Sequence, residues 1–302
     1  MTDQTAWAGL TWAGGPAYSA LTWASAGASE NCLILSPADS DAATIACGLS
    51  ATLAVTNLQT SAPAQKWRAP ATADYLTVTY VTPLAANSLA LCATNFTTAA
   101  MVRVRGFTTA AAMDAGTGET VDTGWVSAWP LGIKPTASNW LNHTTLLRWS
   151  NDTALMYWRV DITDGGAGIT YIEAGRLALG RAWRPSIRLD VEFSIGHASA
   201  DVQIISDWGA TYGEARFAAR TFEIRFSAQE WRDVMDSAAD LQRLRGLARD
   251  LIVCIDPAQT TDFHRLTMQG VFTSLNALNA IPGFSTGGQM WSFTLPLREL
   301  IF

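Results

Sequence analysis

Residues 171–185 read Tyr171-Ile-Glu-Ala-Gly-Arg-Leu-Ala-Leu-Gly-Arg-Ala-Trp-Arg-Pro185, and residues 57–70 contain the related pieces Asn57-Leu-Gln-Thr60 and Lys66-Trp-Arg-Ala-Pro70. Each stretch has a Trp-Arg pair shortly before a proline, and the two bracket a run of short apolar segments. Short apolar segments separated by Pro, Gly, Asn and Asp are typical of the strands of a β-sandwich or jelly roll. The bracketed region is therefore predicted to be such a sandwich.

The apolar segments have the length and, in places, the alternation of strands. Leu76-Thr-Val-Thr79 and Val102-Arg-Val-Arg105 alternate strictly, which predicts one buried face and one face carrying Thr or Arg. Those arginines are expected at a sheet edge or on a binding face. The predicted strands of this region are Cys32–Leu35, Tyr75–Tyr80, Ser88–Cys92, Met101–Arg105 and Trp158–Ile162.

The pattern changes after Ser227. Ser227-Ala-Gln-Glu230 matches a capping box, and apolar residues then recur at helical spacing from Trp231 to Leu244. This predicts one amphipathic helix of about twenty residues that ends near Gly246. With strands predicted at Arg220–Phe226, Asp250–Ile255, Arg265–Phe272 and Met290–Leu295, the C-terminal part is expected to be a small, barrel-like α+β domain.

Three regions follow from these patterns. Residues 31–190 are predicted to be the jelly-roll β-sandwich and residues 191–302 the α+β domain, so the fold class is mainly β. Residues 1–30 are rich in Ala, Gly, Ser and Thr and are interpreted as an extended arm, with Trp7, Trp12 and Trp23 as its anchors on another surface. Two weak strands are the alternative for this segment.

The composition favours contact with other protein subunits. Of the 302 residues, 49% are hydrophobic and only 15% are charged, against about 25% in ordinary soluble domains. Thirteen tryptophans fit an interface, although core packing also accounts for most of them. The net charge of −6 disfavours a nucleic-acid partner.

The ends and the cysteines indicate where the chain is made. The four cysteines, at positions 32, 47, 92 and 254, stand in apolar contexts and are predicted to be buried free thiols. Neither a signal peptide nor an apolar run long enough to span a membrane is visible. Synthesis in a bacterial cytoplasm, with no membrane span, is expected.

Several short motifs carry a family resemblance. Asn57-Leu, Trp67-Arg-Ala-Pro70, Leu89–Asn95, Val102–Gly106, Tyr157–Ile162 and Gly175-Arg-Leu resemble the galactose-binding-like jelly roll of siphophage minor tail and baseplate proteins, including distal tail proteins. The C-terminal third is similar to the α+β domain that attaches such proteins to the tail. Distal tail proteins often place that domain first, so the reversed order here favours a subunit that surrounds the tail tube over one that lines it.

The resemblance implies a structural virion protein at the tail tip or baseplate. Such a protein assembles as a ring or multimer and contacts other tail subunits or fibres. The alternative is a carbohydrate-binding adhesin that recognises a glycan of the host surface. For either role the candidate contacts are Trp67, Arg68, Trp183 and Arg184, because an indole with a nearby guanidinium suits both sugar stacking and protein interfaces. The plainer interpretation is that the tryptophans fill the sandwich and the arginines pair locally.

No catalytic or cofactor-binding residues are predicted, and the chain is not expected to be an enzyme. Gly283-Phe-Ser-Thr-Gly287 matches a nucleophile elbow, but a strand rather than a helix follows it and neither Asp nor His occurs after Ser285. Glu173 and Asp190 are only formal candidates for a glycosidase pair, because the required separation of the two carboxylates is spatial.

No metal site is predicted either. His143, His197 and His264 are isolated in the sequence and lack the spacing of transition-metal ligands. Asp161 and Asp164 precede two glycines, and a structural Ca²⁺ in this loop is an open alternative to a simple turn.

Overall fold

The structure is a computed structural model. It describes residues 32–130, 134, 143–151, 153–185, 191–209, 211–214, 216–259, 262–281 and 290–301. The arm anchors Trp7, Trp12 and Trp23, the motif around Ser285 and the residue Asp190 lie outside these ranges.

Antiparallel strands make up most of the described chain. The strands are β1 (Leu33–Leu35), β2 (Thr44–Cys47), β3 (Trp67–Ala69), β4 (Ala73–Leu84), β5 (Ser88–Cys92), β6 (Ala100–Phe107), β7 (Val121–Asp122), β8 (Val126–Ser127), β9 (Thr144–Arg148), β10 (Leu155–Asp164), β11 (Ile172–Ala174), β12 (Arg176–Gly180), β13 (Val191–Ala198), β14 (Val202–Ile205), β15 (Thr211–Glu214), β16 (Ala219–Glu230), β17 (Leu251–Cys254), β18 (Thr267–Phe272), β19 (Asn279–Ile281) and β20 (Met290–Glu299). The helices are α1 (Ala38–Ala42), α2 (Ala110–Ala115), α3 (Trp231–Asp233, Val234–Ala239 and Asp240–Arg245) and α4 (Phe263–Leu266), with a 3₁₀ segment at Val55–Gln59.

The N-terminal lobe is the predicted jelly-roll β-sandwich. One sheet has the strand order β2-β4-β10-β6-β7, with β8 also pairing with β6, and it faces the sheet β12-β5-β9 and the pair β11-β3. The alternation predicted for β4 is confirmed, because Leu76 and Val78 are fully buried while Thr77 and Thr79 are only partly so. The hydroxyl of Tyr80 donates across the sandwich to the carbonyl of Leu179 at 2.6 Å.

The sheet β12-β5-β9 forms a middle layer of the molecule. Leu89 and Leu91 of β5 point into the sandwich core, whereas Ala90 and Cys92 belong to a second cluster that includes Leu33, Leu35, Ile252 and Cys254 of the C-terminal sheet. Small side chains on that second face allow two sheets to approach closely. Both faces of β5 are therefore buried, which explains its continuous apolar sequence.

The C-terminal lobe contains a sheet of strand order β1-β17-β18-β20-β16-β13, with β19 added to β20. β1 pairs with β17 in the register Leu33↔Cys254 and Leu35↔Ile252. The sequence assigned residues 31–35 to the sandwich, so the boundary at residue 31 does not coincide with the membership of the sheets. The pairing joins strands more than two hundred residues apart in the chain, and no local pattern reports it.

The amphipathic helix is present, but it starts later than the capping box predicts. Ser227 and Glu230 belong to β16, and α3 begins at Trp231 with no side-chain cap at its first turn. Its middle turn, Val234–Ala239, is π-helical, and the helix ends at Gly246, which has a φ of 53°. Pairing of β16 with β20 as far as Glu230 holds the supposed cap in extended backbone. The helix packs Val234, Ala238 and Leu241 onto the sheet.

A buried ionic network joins the two lobes. Arg176 of β12 donates to Asp250 through Nε at 2.8 Å and Nη2 at 2.9 Å, and to Asp41 of α1 through Nη1 at 2.6 Å and Nη2 at 2.9 Å. Asp250 also accepts from Gln269 Nε2 at 2.8 Å, and its carbonyl accepts from Arg245 Nε at 3.0 Å. Two bidentate ion pairs on one buried guanidinium fix the geometry of the junction.

The cysteines are free, as predicted. Cys32, Cys92 and Cys254 are buried, and burial raises the pKa of the Cys92 and Cys254 thiols to about 12. Cys47 is only half-buried. Among the described residues, no helix has the length and hydropathy that crossing a membrane requires.

Candidate functional site

Trp67 lies in the core and not on a binding surface. It sits on β3, has no accessible surface and belongs to the apolar cluster between the sandwich sheets. Its ring face is therefore closed to any sugar or protein partner. The structure agrees with the plainer of the two interpretations of this residue.

Arg68 pairs locally, again as in the plainer interpretation. Its Nε and Nη2 donate to Glu173 at 3.1 and 2.8 Å, Lys66 Nζ donates to the same carboxylate at 2.7 Å, and the guanidinium stacks on Tyr171 at 4.2 Å. Burial raises the pKa of Glu173, but the hydrogen bonds from Lys66 and Arg68 outweigh it and keep the pKa below its usual value. Glu173 is thus held as a carboxylate, whereas a glycosidase acid needs a raised pKa.

Trp183 and Arg184 line a cleft between the two lobes. The backbone of Trp183 exchanges hydrogen bonds with Ile34 of β1, at 2.8 and 3.0 Å, and its indole ring lies against Phe226 (5.5 Å between centroids) and Phe293 (6.3 Å). One wall of the cleft is the linker after β12 and the other is helix α3, and the cavity volume is about 640 Å³. Neither Trp67 nor Arg68 lines it.

The cleft presents carboxylates from one helix face. Asp233, Asp236 and Asp240 of α3 all line the cleft, so their side chains lie on one side of the helix. Arg181, Arg184 and Asn87 lie on the opposite wall, with Asp39 beside them. Burial raises the pKa of Asp39, and the charge of Arg245 opposes this shift.

Asp161 and Asp164 are occupied by protein donors. Asp161 accepts from Arg105 Nε and Arg159 Nε, both at 2.8 Å. Asp164 accepts from the amide of Thr97 at 2.7 Å, from the Thr97 hydroxyl and from the amide of Gly166 at 3.0 Å. Across the described ranges, no three His, Cys, Asp or Glu side chains come together in a way that would hold a metal ion.

The arginines of β6 pair with carboxylates and a carbonyl of the same lobe, so they do not present an open binding face. Arg105 is buried, and its Nη1 donates to the carbonyl of Gly116 at 2.5 Å. Arg103 pairs with Asp122 at 2.6 Å and with Glu119 at 3.0 Å. The outer face of this sheet is therefore internally neutralised.

Burial lowers the pKa of two of the three histidines. His143 packs edge-on against Trp129 at 5.3 Å, and burial lowers its pKa to about 4, with smaller contributions from Lys134 and His264. Burial also lowers the pKa of His264. Both rings are therefore neutral at pH 7, as packed histidines are.

The structure adds a feature that the sequence analysis missed, an apolar surface on the C-terminal lobe. β13 ends the sheet on one side, and β14 and β15 form a separate two-stranded hairpin directly after it. Trp208 at the hairpin tip is 96% exposed and Ile205 is 71% exposed. We call the following exposed residues the hairpin surface: Phe193, Ile195, Ile204, Ile205, Trp208 and Tyr212.

Two sequence signals mark this surface in retrospect. Ile204 and Ile205 follow one another, which leaves one of them on each face of a strand. Asp207-Trp208-Gly209 is a turn signal, and Gly209 has the left-handed φ of 77° that closes the turn onto Ser206.

Comparison with known proteins gives a likeness of fold alone. No protein-family model matches the chain, and no curated protein matches it. Solved structures that resemble it include chitosan-binding module 1 of a chitosanase/glucanase from Paenibacillus sp. IK-5, at TM-score 0.31 and 12% identity, covering 46% of this chain and 96% of that one. Another is CBM32-1 of a family 31 glycoside hydrolase from Clostridium perfringens, at TM-score 0.30 and 10% identity, covering 45% of this chain and 94% of that one.

A third structure is a truncated AlyQ with CBM32 and alginate lyase domains, at TM-score 0.29 and 13% identity, covering 64% of this chain and 56% of that one. The three neighbours are carbohydrate-binding modules, alone or joined to an enzyme domain, and none of their names describes a tail protein. At these TM-scores the likeness does not decide function.

Proposed function

We propose that this protein is a binding subunit of a larger protein assembly, and that its C-terminal lobe docks onto neighbouring subunits through the hairpin surface. The observation that carries the proposal is the exposure of apolar side chains on both faces of the hairpin. Ile204 stands opposite Tyr212 on one face, and Ile205 points to the other. A lone two-stranded hairpin is marginally stable in water, so covering it stabilises both the hairpin and the complex.

The neighbouring strand extends the same surface. Phe193 and Ile195 of β13 stand opposite Ile224 and Phe222 and share their face of the sheet. Ile224 and Phe222 are buried under α3, whereas Phe193 is 50% and Ile195 42% exposed. The apolar face of the sheet thus continues beyond its own helix, as expected of a lobe that another subunit completes.

The assembly that we propose is the tail tip or baseplate of a bacteriophage, with other tail subunits and further copies of this chain as partners. This finer assignment rests on the sequence resemblance and on the low content of charged residues. None of the structural neighbours named above supports it. A role in the virion and assembly as a ring or multimer belong to the same proposal.

Mass-resolved size measurement tests this proposal. The purified chain, alone and mixed with tail-tube and baseplate proteins, is expected to form a defined multimer or co-complex. Ile205→Asp should abolish it, because a carboxylate would be buried at the interface. Val81→Asp is the matched control, since Val81 is 81% exposed on β4 of the other lobe. A monomer indifferent to every tail component, or equal effects of the two variants, would contradict docking through the hairpin surface.

Glycan recognition is the second candidate function. The specific observation in its favour is the cleft at Trp183, where an aromatic ring, carboxylates and guanidinium groups lie together. Sugar sites combine such an apolar surface with donors and acceptors that fix hydroxyl groups. Direct titration of the protein with oligosaccharides tests this candidate.

A further inference from the structure

The interlobe cleft has the size and position of a small-molecule site. Its volume of about 640 Å³ lies within the roughly 300–1,000 Å³ typical of ligand pockets. It is built by two lobes whose relative position is fixed by the Arg176 network, and Arg245 belongs both to that network and to the cleft lining. Rigid walls reduce the ordering cost of binding.

The cleft offers hydrogen-bonding groups that the protein itself leaves unused. Asn87 Oδ1 accepts from the amide of Ala182 and from the Ser88 hydroxyl, both at 3.0 Å, so its Nδ2 is the atom left for another partner. The side chains of Arg181 and Asp236 make no hydrogen bond or ion pair with any residue in the ranges that the structure describes. Donors and acceptors are therefore both present, on opposite walls.

The charges of the walls decide which class of ligand fits. Asp233, Asp236 and Asp240 on α3 face Arg181 and Arg184 on the opposite wall. Each wall also carries one group of the other sign, Arg245 on α3 and Asp39 beside the arginines, so the two signs nearly balance. An anionic ligand would meet the carboxylates of α3, and a cationic one would meet the guanidinium groups. Hydroxyl groups both donate to carboxylates and accept from guanidinium groups, so an uncharged polyol satisfies both walls.

We infer that the cleft binds an uncharged saccharide, with Trp183 as its apolar surface and with Asn87, Arg181 and Asp236 fixing hydroxyl groups. This inference rests on the second candidate function above. It places the ligand at the junction of the lobes, on the linker after β12 and on helix α3.

Titration calorimetry with defined sugars tests the inference. The neutral probes are maltotriose, cellotriose and triacetylchitotriose, and the charged counterparts are trigalacturonate and the glucosamine trimer. A neutral trisaccharide is expected to bind better than either charged one. Arg181→Ala and Asp236→Ala should each weaken binding about tenfold, the effect of losing one hydrogen bond to a charged group.

Arg232→Ala and Asp207→Ala are the matched controls, because both residues are exposed and lie outside the cleft. They should leave the affinity unchanged. Binding that survives both cleft variants would overturn the cleft as the site but keep glycan recognition. Absence of binding to all probes would overturn both, and preference for a charged trimer would overturn the choice of ligand. None of these results bears on docking through the hairpin surface.

Discussion

The tryptophans of the two similar Trp-Arg stretches occupy different environments. Trp67 fills the sandwich core, whereas Trp183 lines the interlobe cleft. Sequence alone indicates that each tryptophan packs against other residues, but not whether another sheet buries its ring completely. Coverage depends on sheets that meet only in three dimensions: β11 beside Trp67, and β1, β16 and β20 around Trp183.

Loss of Arg176 should be strongly destabilising, because its guanidinium is buried and holds two carboxylates. Arg176→Met keeps much of the side-chain volume but removes the bidentate partner of the buried Asp250, leaving it with the more distant Arg245, whose Nη2 lies 3.7 Å from its carboxylate. This change is expected to lower the free energy of unfolding by about 3 kcal/mol. Urea unfolding monitored by fluorescence measures this. Arg225→Ala is the comparison, since the exposed pair of Arg225 with Glu223 contributes at most about 1 kcal/mol. A loss below that value for Arg176→Met would contradict the importance of the network.

His143 should make the protein sensitive to acid. Its pKa is about 4 in the folded protein, below the usual 6.5, so the unfolded chain takes up the proton first as the pH falls. Above pH 6.5 this residue therefore does not lower the free energy of unfolding. As the pH falls toward 4, the free energy of unfolding decreases progressively, by about 2 kcal/mol after discounting for partial exposure.

The measurement is the difference in Tm between pH 7 and pH 4.5, compared with that of His143→Gln. The variant should lose less than the unchanged protein. His264 and the carboxylates titrate in both chains, so equal losses would assign the acid sensitivity to them.

The sequence predicts the positions of strands better than it predicts which strands pair with one another. β5 coincides with its predicted segment, and β4, β6 and β10 contain theirs, because their alternation or continuous apolar content is a local property. The predicted start of α3 at Ser227 was wrong, because β16 continues to Glu230 and its pairing with β20 overrides the local capping signal. The hairpin β14–β15 was not predicted, since its apolar residues do not face a core of this chain.

The hairpin should change its dynamics on assembly. Amides of β14 and β15 are expected to exchange hydrogen quickly in the isolated chain, because few contacts hold the pair against the body. Burial in a complex should slow their exchange at least tenfold. Amides of β17 and β18, which are buried on both faces, serve as the control and should be protected in both states. Fast exchange of the hairpin within a formed complex would contradict its role as the docking element.

The two lobes are not built from separate, consecutive pieces of the sequence. The C-terminal sheet takes β1 from the region before the sandwich, and the middle layer β12-β5-β9 packs on both lobes. Composition and strand patterns predict two regions, but the place of β1 in the C-terminal sheet depends on long-range pairing that these patterns do not report.

A fragment of residues 191–302 should therefore be less stable than the same region in the full chain. It lacks β1, whose Ile34 is buried in the core of the C-terminal lobe and contributes about 2 kcal/mol. Thermal melting followed by circular dichroism measures this, and adding a peptide of residues 32–37 should raise the Tm. The same peptide with Ile34 replaced by Ser is the control. A fragment as stable as the intact lobe would show that β1 is dispensable.

Removal of residues 1–30 tests whether the predicted N-terminal arm contributes to assembly. If the arm packs on another subunit, as its sequence is interpreted, the shortened chain should keep its Tm and assemble less well. Size measurement and melting together distinguish the outcomes. A lower Tm would assign the tryptophans of the arm to the local core.

The position of β1 also has a consequence during synthesis on the ribosome. Leu33–Leu35 leaves the exit tunnel long before its partner β17, which follows more than two hundred residues later in the chain. At about 5–20 residues per second, this apolar strand waits roughly 10–40 s for its neighbour. During that interval an uncovered strand edge is available to other nascent chains, so the yield of native protein is expected to depend on translation speed and on chaperones that shield β1.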